Sequence, residues 1–192
     1  MLQRAPCTGG NRARLRFYFN NRSEHLLKTA AQARAQNRDF IRVGRSRIQG
    51  KGVFAKRKIP RGTRIVEYLG ERVPISTLLV EMDAGKRTHT YIFALSHTMT
   101  IDGSVGGSDA RFINHSCEPN CEACVFDDRV YIYAMRDITR GEELTFDYQL
   151  GPAIRRSGRR SKDVLDAYAC HCGSPKCRGT MIASKRRSES RR

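Results

Sequence analysis

A cysteine cluster near the end of the sequence constrains the fold more than any other feature. The stretch YACHCGSPKCRGT places Cys170, Cys172 and Cys177 in the spacing CxCx4C. Structural zinc takes four sulfur or nitrogen ligands at tetrahedral angles, so three thiolates leave such a site one ligand short. The missing ligand must come from another part of the sequence, and the fold must bring it to this segment.

Several residues are candidates for the fourth ligand. His171 lies between two of the proposed ligands, so its side chain would point away from a metal that they share. Cys124 falls in the alternating segment ACVFDDRV, where a place in the core is the simpler interpretation, and Cys7 is a further candidate. Cys117 lies in the polar loop NHSCEPN, which has no apolar area to bury. We therefore predict Cys117 as the fourth zinc ligand, with Cys121 as the second choice.

The other cysteines and the apolar runs limit the class of protein. The sequence has seven cysteines, an odd number with clustered spacing, which is typical of a metal site in a reducing compartment. No apolar run approaches the roughly 18 residues that cross a membrane, so we expect no membrane partner. The N-terminal segment has no continuous apolar stretch, which argues against a secretory signal, although an arginine-rich transit peptide stays open.

Positive charge is concentrated on the flanks of the sequence. The net charge is +17, of which residues 1–38 carry +7 and residues 39–150 only +1. Residues 151–169 carry +3, residues 170–177 carry +1 and residues 178–192 carry +5. Basic flanks on a neutral core predict arms that contact a polyanion, such as nucleic acid, by charge alone. Solvated tails that only keep the protein soluble are the alternative.

Hydrophobic patterning predicts a mainly β domain behind a basic extension. From Phe40 onward, short alternating segments such as GVFAKRKI, TRIVEYLGERV and ACVFDDRVYIYAMRDI are separated by Gly, Pro and Asp turns, as in a domain of many short strands. One helix is predicted in PISTLLVEMDAGKR, with a Ser or Thr at its start and Gly85 at its stop. Before this domain, SEHLLKTAAQARAQNRD predicts a helix capped by Ser23.

Three further motifs carry residues suited to a ligand site. RSRIQGKGVFA has two glycines around one residue, so the chain can turn sharply there and present backbone groups to a ligand. In RFINHSCEPNC an apolar pair precedes Asn114 and His115, which predicts that both bind a ligand; a turn that satisfies its own backbone is the alternative. In RGEELTFDYQLG, Phe146 and Tyr148 lie on the same side of a strand, which alone is more typical of core packing.

Taken in order, these motifs resemble the SET-domain protein-lysine (histone-lysine) methyltransferases that carry a C-terminal post-SET zinc module. The resemblance rests on GxG, EYLG, TYIF, RFINHSCEPN, GEELTFDY and CxCx4C, from about Arg42 to Met181. It implies a mainly β SET-domain fold of several small sheets with a knot-like C-terminal threading, which is rare among folds. The implied organisation is an N-terminal extension (1–38), a SET domain (39–150), a basic connector (151–169), a post-SET zinc module (170–181) and a basic tail (182–192).

The resemblance also implies S-adenosylmethionine as the methyl donor, held between the GxG and NHS loops. Its adenine favours stacking and backbone hydrogen bonds, and its carboxylate suits a basic side chain. Lys51 replaces an arginine often found at its position and keeps the charge without the bidentate geometry, while Gln49 departs from the more usual residue. The implied cofactor-binding residues are Gln49, Lys51, Tyr91, Asn114, His115 and His171.

The implied reaction is an in-line attack of a neutral lysine amine on the methyl group. A free lysine has a pKa of about 10.4 and is mostly charged at neutral pH, so an apolar channel beside a positive sulfur would favour the reactive form. Tyr148 would align the amine with the methyl group, and Tyr68 would form a second wall. Phe146 lacks the hydroxyl that a Tyr would place there, which predicts a di- or trimethyl product. One structural Zn2+ would be bound by Cys117, Cys170, Cys172 and Cys177.

The sequence allows more than one substrate and more than one location for the protein. The resemblance implies a lysine-containing protein substrate, a histone or another basic tail, and the basic arms would suit non-specific contact with DNA or a nucleosome. We expect an intracellular protein, nuclear or chromosomal in a eukaryote and cytoplasmic or an exported effector in a bacterium. The alternatives are an inactive SET-like module that holds nucleic acid or chromatin through its basic arms, and a zinc-stabilised nucleic-acid-binding protein outside this family.

Overall fold

The structure is a computed structural model that describes residues 3–4, 39–87, 91–150 and 166–183. The prediction of a mainly β domain is confirmed, because the alternating segments form short strands. The predicted helix with Ser23 at its start lies outside the described residues, as does most of the connector. The strands are β1 (Gln3–Arg4), β2 (Ile41–Arg45), β3 (Lys51–Ala55), β4 (Arg64–Tyr68), β5 (Glu71–Pro74), β6 (Ile92–Ala94), β7 (Met99–Asp102), β8 (Asn114–His115), β9 (Cys121–Phe126), β10 (Arg129–Ala134) and β11 (Glu143–Phe146).

The larger sheet positions the predicted site. Its strand order is β2-β3-β11-β9-β10-β4, and β8 pairs with β11 off this path. β9 and β10 form a hairpin whose two turn residues, Asp127 and Asp128, are both left-handed, as a two-residue type I′ turn requires. β11 runs antiparallel to β3 and parallel to β8 and β9. Phe146 therefore lies opposite both His115 and Cys121.

The smaller sheet carries the one described α-helix of more than one turn, α1 (Ile75–Asp83). Its strand order is β1-β6-β7-β5. The predicted stop at Gly85 is confirmed by its left-handed backbone. The predicted Ser or Thr start is wrong: the helix begins at Ile75 with Pro74 at the N-cap, which has no side-chain acceptor, and no side chain caps the helix. The Ile75 N–H donates to the Thr98 carbonyl. Within the described residues, no helix has the length and apolarity needed to cross a membrane.

The main core lies under the larger sheet and extends to the predicted catalytic aromatic residues. Phe93 is fully buried, with its ring centroid 5.3 Å from that of Tyr68 and 6.4 Å from that of Phe146. The rings of Phe146 and Tyr148 are 5.0 Å apart. The four rings thus form a continuous row from the core to the surface of the domain. Other fully buried side chains of this core are Val53, Ile59, Ile113, Val130, Ile132, Ile138 and Leu144.

Candidate active site and metal centre

Four thiols from two distant parts of the chain meet in one cluster. The Sγ atoms of Cys117, Cys170, Cys172 and Cys177 all lie within 4.8 Å of one another. The Sγ atoms of Cys117 and Cys170 are 3.7 Å apart, although 53 positions separate the two residues. Tetrahedral zinc with Zn–S bonds of about 2.3 Å would hold its sulfurs roughly 3.8 Å apart. The four thiols therefore fit a zinc ion in both ligand type and spacing.

Backbone hydrogen bonds favour the thiolate form at this cluster. The N–H groups of Arg178 and Gly179 donate to the Sγ atoms of Cys117 and Cys177, at 3.3 and 3.4 Å. Burial acts to raise the pKa of Cys172, but backbone hydrogen bonds and the neighbouring thiols lower it to about 6. Burial raises the pKa of Cys170 above its usual range. Thiols this close cannot all ionise without a cation between them, so the cluster is compatible with a metal site.

The other candidate ligands lie outside the cluster. Cys121, the second choice from the sequence, is fully buried in the main core, and burial raises the pKa of its thiol to about 12. Cys124 is half-buried in β9 opposite Tyr131. His171 is exposed and absent from the one cluster of metal-ligating groups found among the described residues. Cys7 lies outside the described residues.

A salt bridge fastens residues 170–181, the thiol-bearing segment, to the end of β11. The guanidinium of Arg178 donates two hydrogen bonds to the Asp147 carboxylate, at 2.7 and 2.8 Å. The Leu150 N–H donates to the Met181 carbonyl at 3.1 Å, which joins the same two segments through the backbone. Asp147 immediately precedes Tyr148, so the segment is held beside the predicted catalytic tyrosine. These contacts do not involve the thiols.

A small cavity lies between the GxG loop, the NHS loop and the thiol-bearing segment. Four of the six predicted cofactor-binding residues meet there, together with Tyr148. The other two, Lys51 and Tyr91, do not line it: Lys51 is exposed and its Nζ lies 5.1 Å above the ring of Phe112. Sequence reasoning missed three lining residues, all of them apolar, because no motif marks them; Cys170 was predicted only as a metal ligand. The lining is Ile48, Gln49, Asn114, His115, Tyr148, Ala169, Cys170, His171 and Met181.

The side chain of Asn114 holds the GxG loop in place. Its Nδ2 donates to the backbone carbonyls of Gln49 and Lys51, at 3.3 and 3.0 Å. The same nitrogen lies 2.9 Å from the Glu143 carboxylate. The amide of Asn114 therefore positions the loop on one side of the cavity, through the carbonyls on both sides of Gly50.

Both positions of the GxG motif require glycine, one because of its backbone conformation and the other because it has no room for a Cβ. Gly50 is left-handed, with φ of +49°, which is costly for residues with a Cβ. A Cβ on Gly52 would lie 2.3 Å from a carboxylate oxygen of Glu143. That carboxylate also accepts a hydrogen bond from the Ser46 hydroxyl at 2.7 Å. Gly52 thus lets Glu143 reach both Ser46 and Asn114 and tie the hairpin to the NHS loop.

His115 connects the thiol cluster with the Tyr148 backbone. Its Nδ1 accepts the Tyr148 N–H at 3.1 Å, and its Nε2 lies 3.4 Å from the Cys117 Sγ. Burial lowers the pKa of His115 to about 4, so the ring is neutral at physiological pH. Because Nδ1 accepts, the ring hydrogen lies on Nε2 and points toward the sulfur. Such a donor to a metal ligand helps to orient that ligand.

The phenols of Tyr68 and Tyr148 are neutral, and each donates its hydroxyl hydrogen to a backbone carbonyl. The Tyr68 hydroxyl donates to the Tyr91 carbonyl and the Tyr148 hydroxyl to the Ile113 carbonyl, each at 2.8 Å. Burial raises the pKa of both tyrosines above the usual range. Neither phenol therefore serves as a base at neutral pH. With each hydrogen directed to a carbonyl, the oxygen lone pairs are left to accept a hydrogen bond from a ligand.

Tyr91 acts through its backbone as well as its ring. It is left-handed, with φ of +64°, a conformation uncommon for residues other than Gly and found near functional sites. Its carbonyl accepts hydrogen bonds from the Tyr68 hydroxyl and from the Gly103 N–H at 2.9 Å. Its ring packs edge-on against Phe112, with 5.6 Å between centroids. This residue therefore orients Tyr68 while its ring lies outside the cavity.

The fold and the site together define a SET domain. The SET domain family model matches residues 50–149, a range that contains the GxG loop, the NHS loop and β11. The chain therefore belongs to the SET domain family. The thiol cluster follows this match in the sequence and is joined to it through Cys117.

Curated relatives extend the match beyond the SET domain itself. "Histone-lysine N-methyltransferase trr" of Drosophila melanogaster is 37% identical over 75% of this chain, and "Histone-lysine N-methyltransferase 2B" of Homo sapiens is 36% identical over 82%. "Histone-lysine N-methyltransferase TRX1" of Oryza sativa subsp. japonica is 39% identical over 81%. The chain spans 6%, 5% and 15% of the length of these three relatives.

Proposed function

We propose that the protein transfers methyl groups from S-adenosylmethionine to the ε-amine of lysine in a histone tail. Membership of the SET domain family and the names of the histone-lysine N-methyltransferase relatives support this activity. The observation that carries it is a pair of phenols, that of the buried Tyr68 and that of the half-buried Tyr148, whose hydrogens are directed to backbone carbonyls. Their oxygens can then accept N–H groups from a substrate amine.

The two phenols would act by orientation. Each oxygen accepts one hydrogen bond from the lysine Nζ, which leaves the nitrogen lone pair to point toward the reacting carbon. Correct alignment of two reactants is worth about 7 to 11 kcal/mol in well-organised systems. Since both tyrosines have raised pKa values, the lysine proton leaves to solvent before the transfer.

Apolar walls would favour the neutral form of the lysine. Phe93 and Phe146 are buried beside Tyr68 and Tyr148. Desolvation by such rings disfavours an ammonium ion and lowers the pKa of a lysine. The same rings exclude water from the amine once the lysine has entered.

The chemistry of the residues around the cavity suits the methyl donor. When bound, S-adenosylmethionine supplies a methyl group on a positively charged sulfur. Ile48 and Met181 offer apolar surface for a purine ring, the GxG backbone and the Asn114 side chain offer polar groups, and His115 lines the same cavity. Lys51, exposed at the edge of the hairpin, supplies positive charge for a carboxylate. We propose as further contacts Gln49 and His171, which line the cavity, and Tyr91, whose ring lies outside it.

We propose one structural zinc ion in the thiol cluster. Four sulfurs at mutual distances that suit tetrahedral zinc support this proposal. Four protein ligands leave no open coordination position on the ion, as is usual for structural zinc. The ion would hold residues 170–177 against the NHS loop and take no part in the transfer.

Phe146 supports a di- or trimethyl product. Its ring is buried beside that of Tyr148 and brings no hydroxyl to the lysine channel. A Phe146→Tyr variant is expected to shift the product toward monomethyl-lysine, as followed by a mass-spectrometric time course. A wild-type protein that stops at monomethyl-lysine would contradict this proposal.

The relatives' names indicate chromatin as the place of action. We propose histone lysines as the substrate and the nucleus as the location, and the basic flanks of the sequence would suit non-specific contact with DNA.

The central experiment uses purified zinc-loaded protein and labelled S-adenosylmethionine. Histones, nucleosomes and a cell lysate are offered separately, and label on lysine is expected with one or more of them. Tyr148→Phe and Asn114→Ala should each lower kcat by on the order of 100-fold, whereas Tyr133→Phe, the same chemical change outside the cavity, should leave it unchanged. A folded, zinc-loaded protein that labels none of the samples would contradict the enzyme and favour a binding module.

A further inference from the structure

The SET region is neutral only on average, because its charges are segregated along the sequence. Residues 42–64 carry nine lysines and arginines and no acid. Residues 65–150 carry seven lysines and arginines against fourteen acids. The net charges of these two parts are therefore +9 and −7. All nine cationic residues of the first part are exposed.

Most of these cations lie on one supersecondary unit. β2 and β3 form a hairpin, and β2 is an outer strand of the larger sheet. The chain then turns back beside the start of the hairpin, where the Lys56 N–H donates to the Phe40 carbonyl at 2.8 Å. A five-residue strand is about 16 Å long, so the cations extend over several phosphate spacings. The basic hairpin surface comprises Arg42, Arg45, Arg47, Lys56, Arg57, Lys58 and Arg61.

The arginines of this surface are available to an external anion. Lys58 pairs with Asp137 at 2.8 Å. None of the five arginines forms an ion pair with a carboxylate of the described residues. Arg42 lies 5.0 Å above the ring of Phe54, and Arg57 lies 4.3 Å above the ring of Phe40. These rings hold two guanidinium groups in place without neutralising them.

We propose that the basic hairpin surface binds the phosphate backbone of double-stranded DNA. Arginine favours phosphate because its planar fork donates two parallel hydrogen bonds. Single-stranded nucleic acid would require open aromatic faces for base stacking, and the rings of Phe40 and Phe54 are covered by arginines. A stable interface with an acidic protein has an apolar centre, but residues 42–64 contain none of the exposed large hydrophobic side chains of the described residues.

The position of this surface would orient the protein on a nucleosome, a consequence that rests on the proposed function. The far end of the hairpin is the GxG loop, which borders the cavity. DNA bound along the hairpin would therefore lie beside the cavity. The acidic remainder, residues 65–150, would attract a basic histone tail, so that the two charged parts favour one docking orientation.

The proposal is tested by measuring the affinity of the 192-residue protein for a 30-base-pair DNA duplex. Fluorescence anisotropy gives this affinity over a range of salt concentrations. In the double variant Arg42→Gln with Arg57→Gln, the slope of log affinity against log salt should become shallower by about 2, since each phosphate contact contributes roughly 0.9. A control that loses the same charge elsewhere, Arg72→Gln with Lys86→Gln, should keep the wild-type slope. Arg42→Lys with Arg57→Lys should also keep it, which separates lost charge from lost packing.

Each outcome decides for or against the surface independently of methyl transfer. Equal slopes for the hairpin variant and the charge-matched control would overturn the proposal, because the contacts would then belong to other basic segments. Loss of affinity for a polyglutamate peptide or single-stranded RNA, with duplex binding intact, would assign the surface to that partner instead. If the proposal holds, the hairpin variant should have a raised KM for nucleosomes and an unchanged KM for a free histone-tail peptide.

Discussion

The larger sheet and the thiol-bearing segment are stabilised in opposite ways, although they share one site. The sheet buries a continuous apolar core in which Val53, Ile59 and Phe93 have no exposed surface. In residues 170–181 every residue is half-buried or exposed, and the segment is held by thiols, two ion pairs and a few backbone hydrogen bonds. A segment with so little apolar burial depends on a cross-link for its order. The comparison indicates that the two regions can be disrupted separately.

The largest expected effect is in the core that the larger sheet buries, to which the smaller sheet contributes Phe93 from β6. Phe93→Ala removes a fully buried ring that contacts Tyr68 and Phe146, and we expect a loss of about 3 to 5 kcal/mol in the free energy of unfolding. Denaturant titration measures it. Leu79→Ala, on the exposed face of α1, should change stability by less than about 0.5 kcal/mol. Similar losses from both variants would contradict the assigned core.

The next effect separates metal binding from core stability. Cys117→Ser should release the proposed zinc and expose residues 166–183 to proteolysis, with little change in the unfolding midpoint of the sheet. Cys121→Ser should lower the unfolding midpoint of the sheet, because a hydroxyl in the core costs about 1 to 3 kcal/mol. It should not release the metal, because the four-thiol cluster stays complete. Metal content and limited proteolysis are the measurements. Equal loss of metal from both variants would mean that the fourth ligand is misassigned.

A smaller effect is expected at the salt bridge between Asp147 and Arg178. Arg178→Gln should weaken zinc affinity by about 10- to 100-fold, the range typical of residues that support metal ligands, as measured by competition with a chelator. The exchanged pair, Asp147→Arg with Arg178→Asp, should recover part of the loss. If the exchanged pair loses as much zinc affinity as the two single variants together, the salt bridge is not what positions the thiol-bearing segment.

The smallest effect is expected at an exposed ion pair on the same segment. Lys176 lies 3.1 Å from the Glu118 carboxylate, and its side chain is 82% exposed. Solvent screens such pairs strongly, so Lys176→Ala should change zinc affinity by less than about twofold. The same chelator competition applies. If Lys176→Ala lost as much zinc affinity as Arg178→Gln, then burial and bidentate geometry would not explain why one ion pair matters more than the other.

The local parts of the fold could be predicted from the sequence. Strands follow from alternation, and the end of α1 follows from Gly85, because both depend on neighbouring residues. The start of α1 could not be predicted, since the backbone N–H of Ile75 is bonded to the carbonyl of Thr98, which lies in another loop. Local sequence does not show which distant carbonyl will be available.

The site was predictable in its motifs and unpredictable in its connections. Cys117 and Cys121 both follow polar or turn residues, and only the tertiary structure shows that Cys121 enters the core as part of β9. The pairing of Asp147 with Arg178 spans 31 positions and has no local signal. The charge segregation is present in the sequence, but one sum over residues 39–150 conceals it.

The place of β11 has a kinetic consequence. This strand follows β3 and β9 in the sequence and yet lies between them in the sheet, so the sheet closes only when a late segment inserts between earlier ones. Contacts of such long sequence separation form slowly. The same insertion brings Tyr148 to His115, which means that a partly folded chain would lack the arrangement needed for the proposed transfer. The onset of methyl transfer during refolding would then report completion of the sheet.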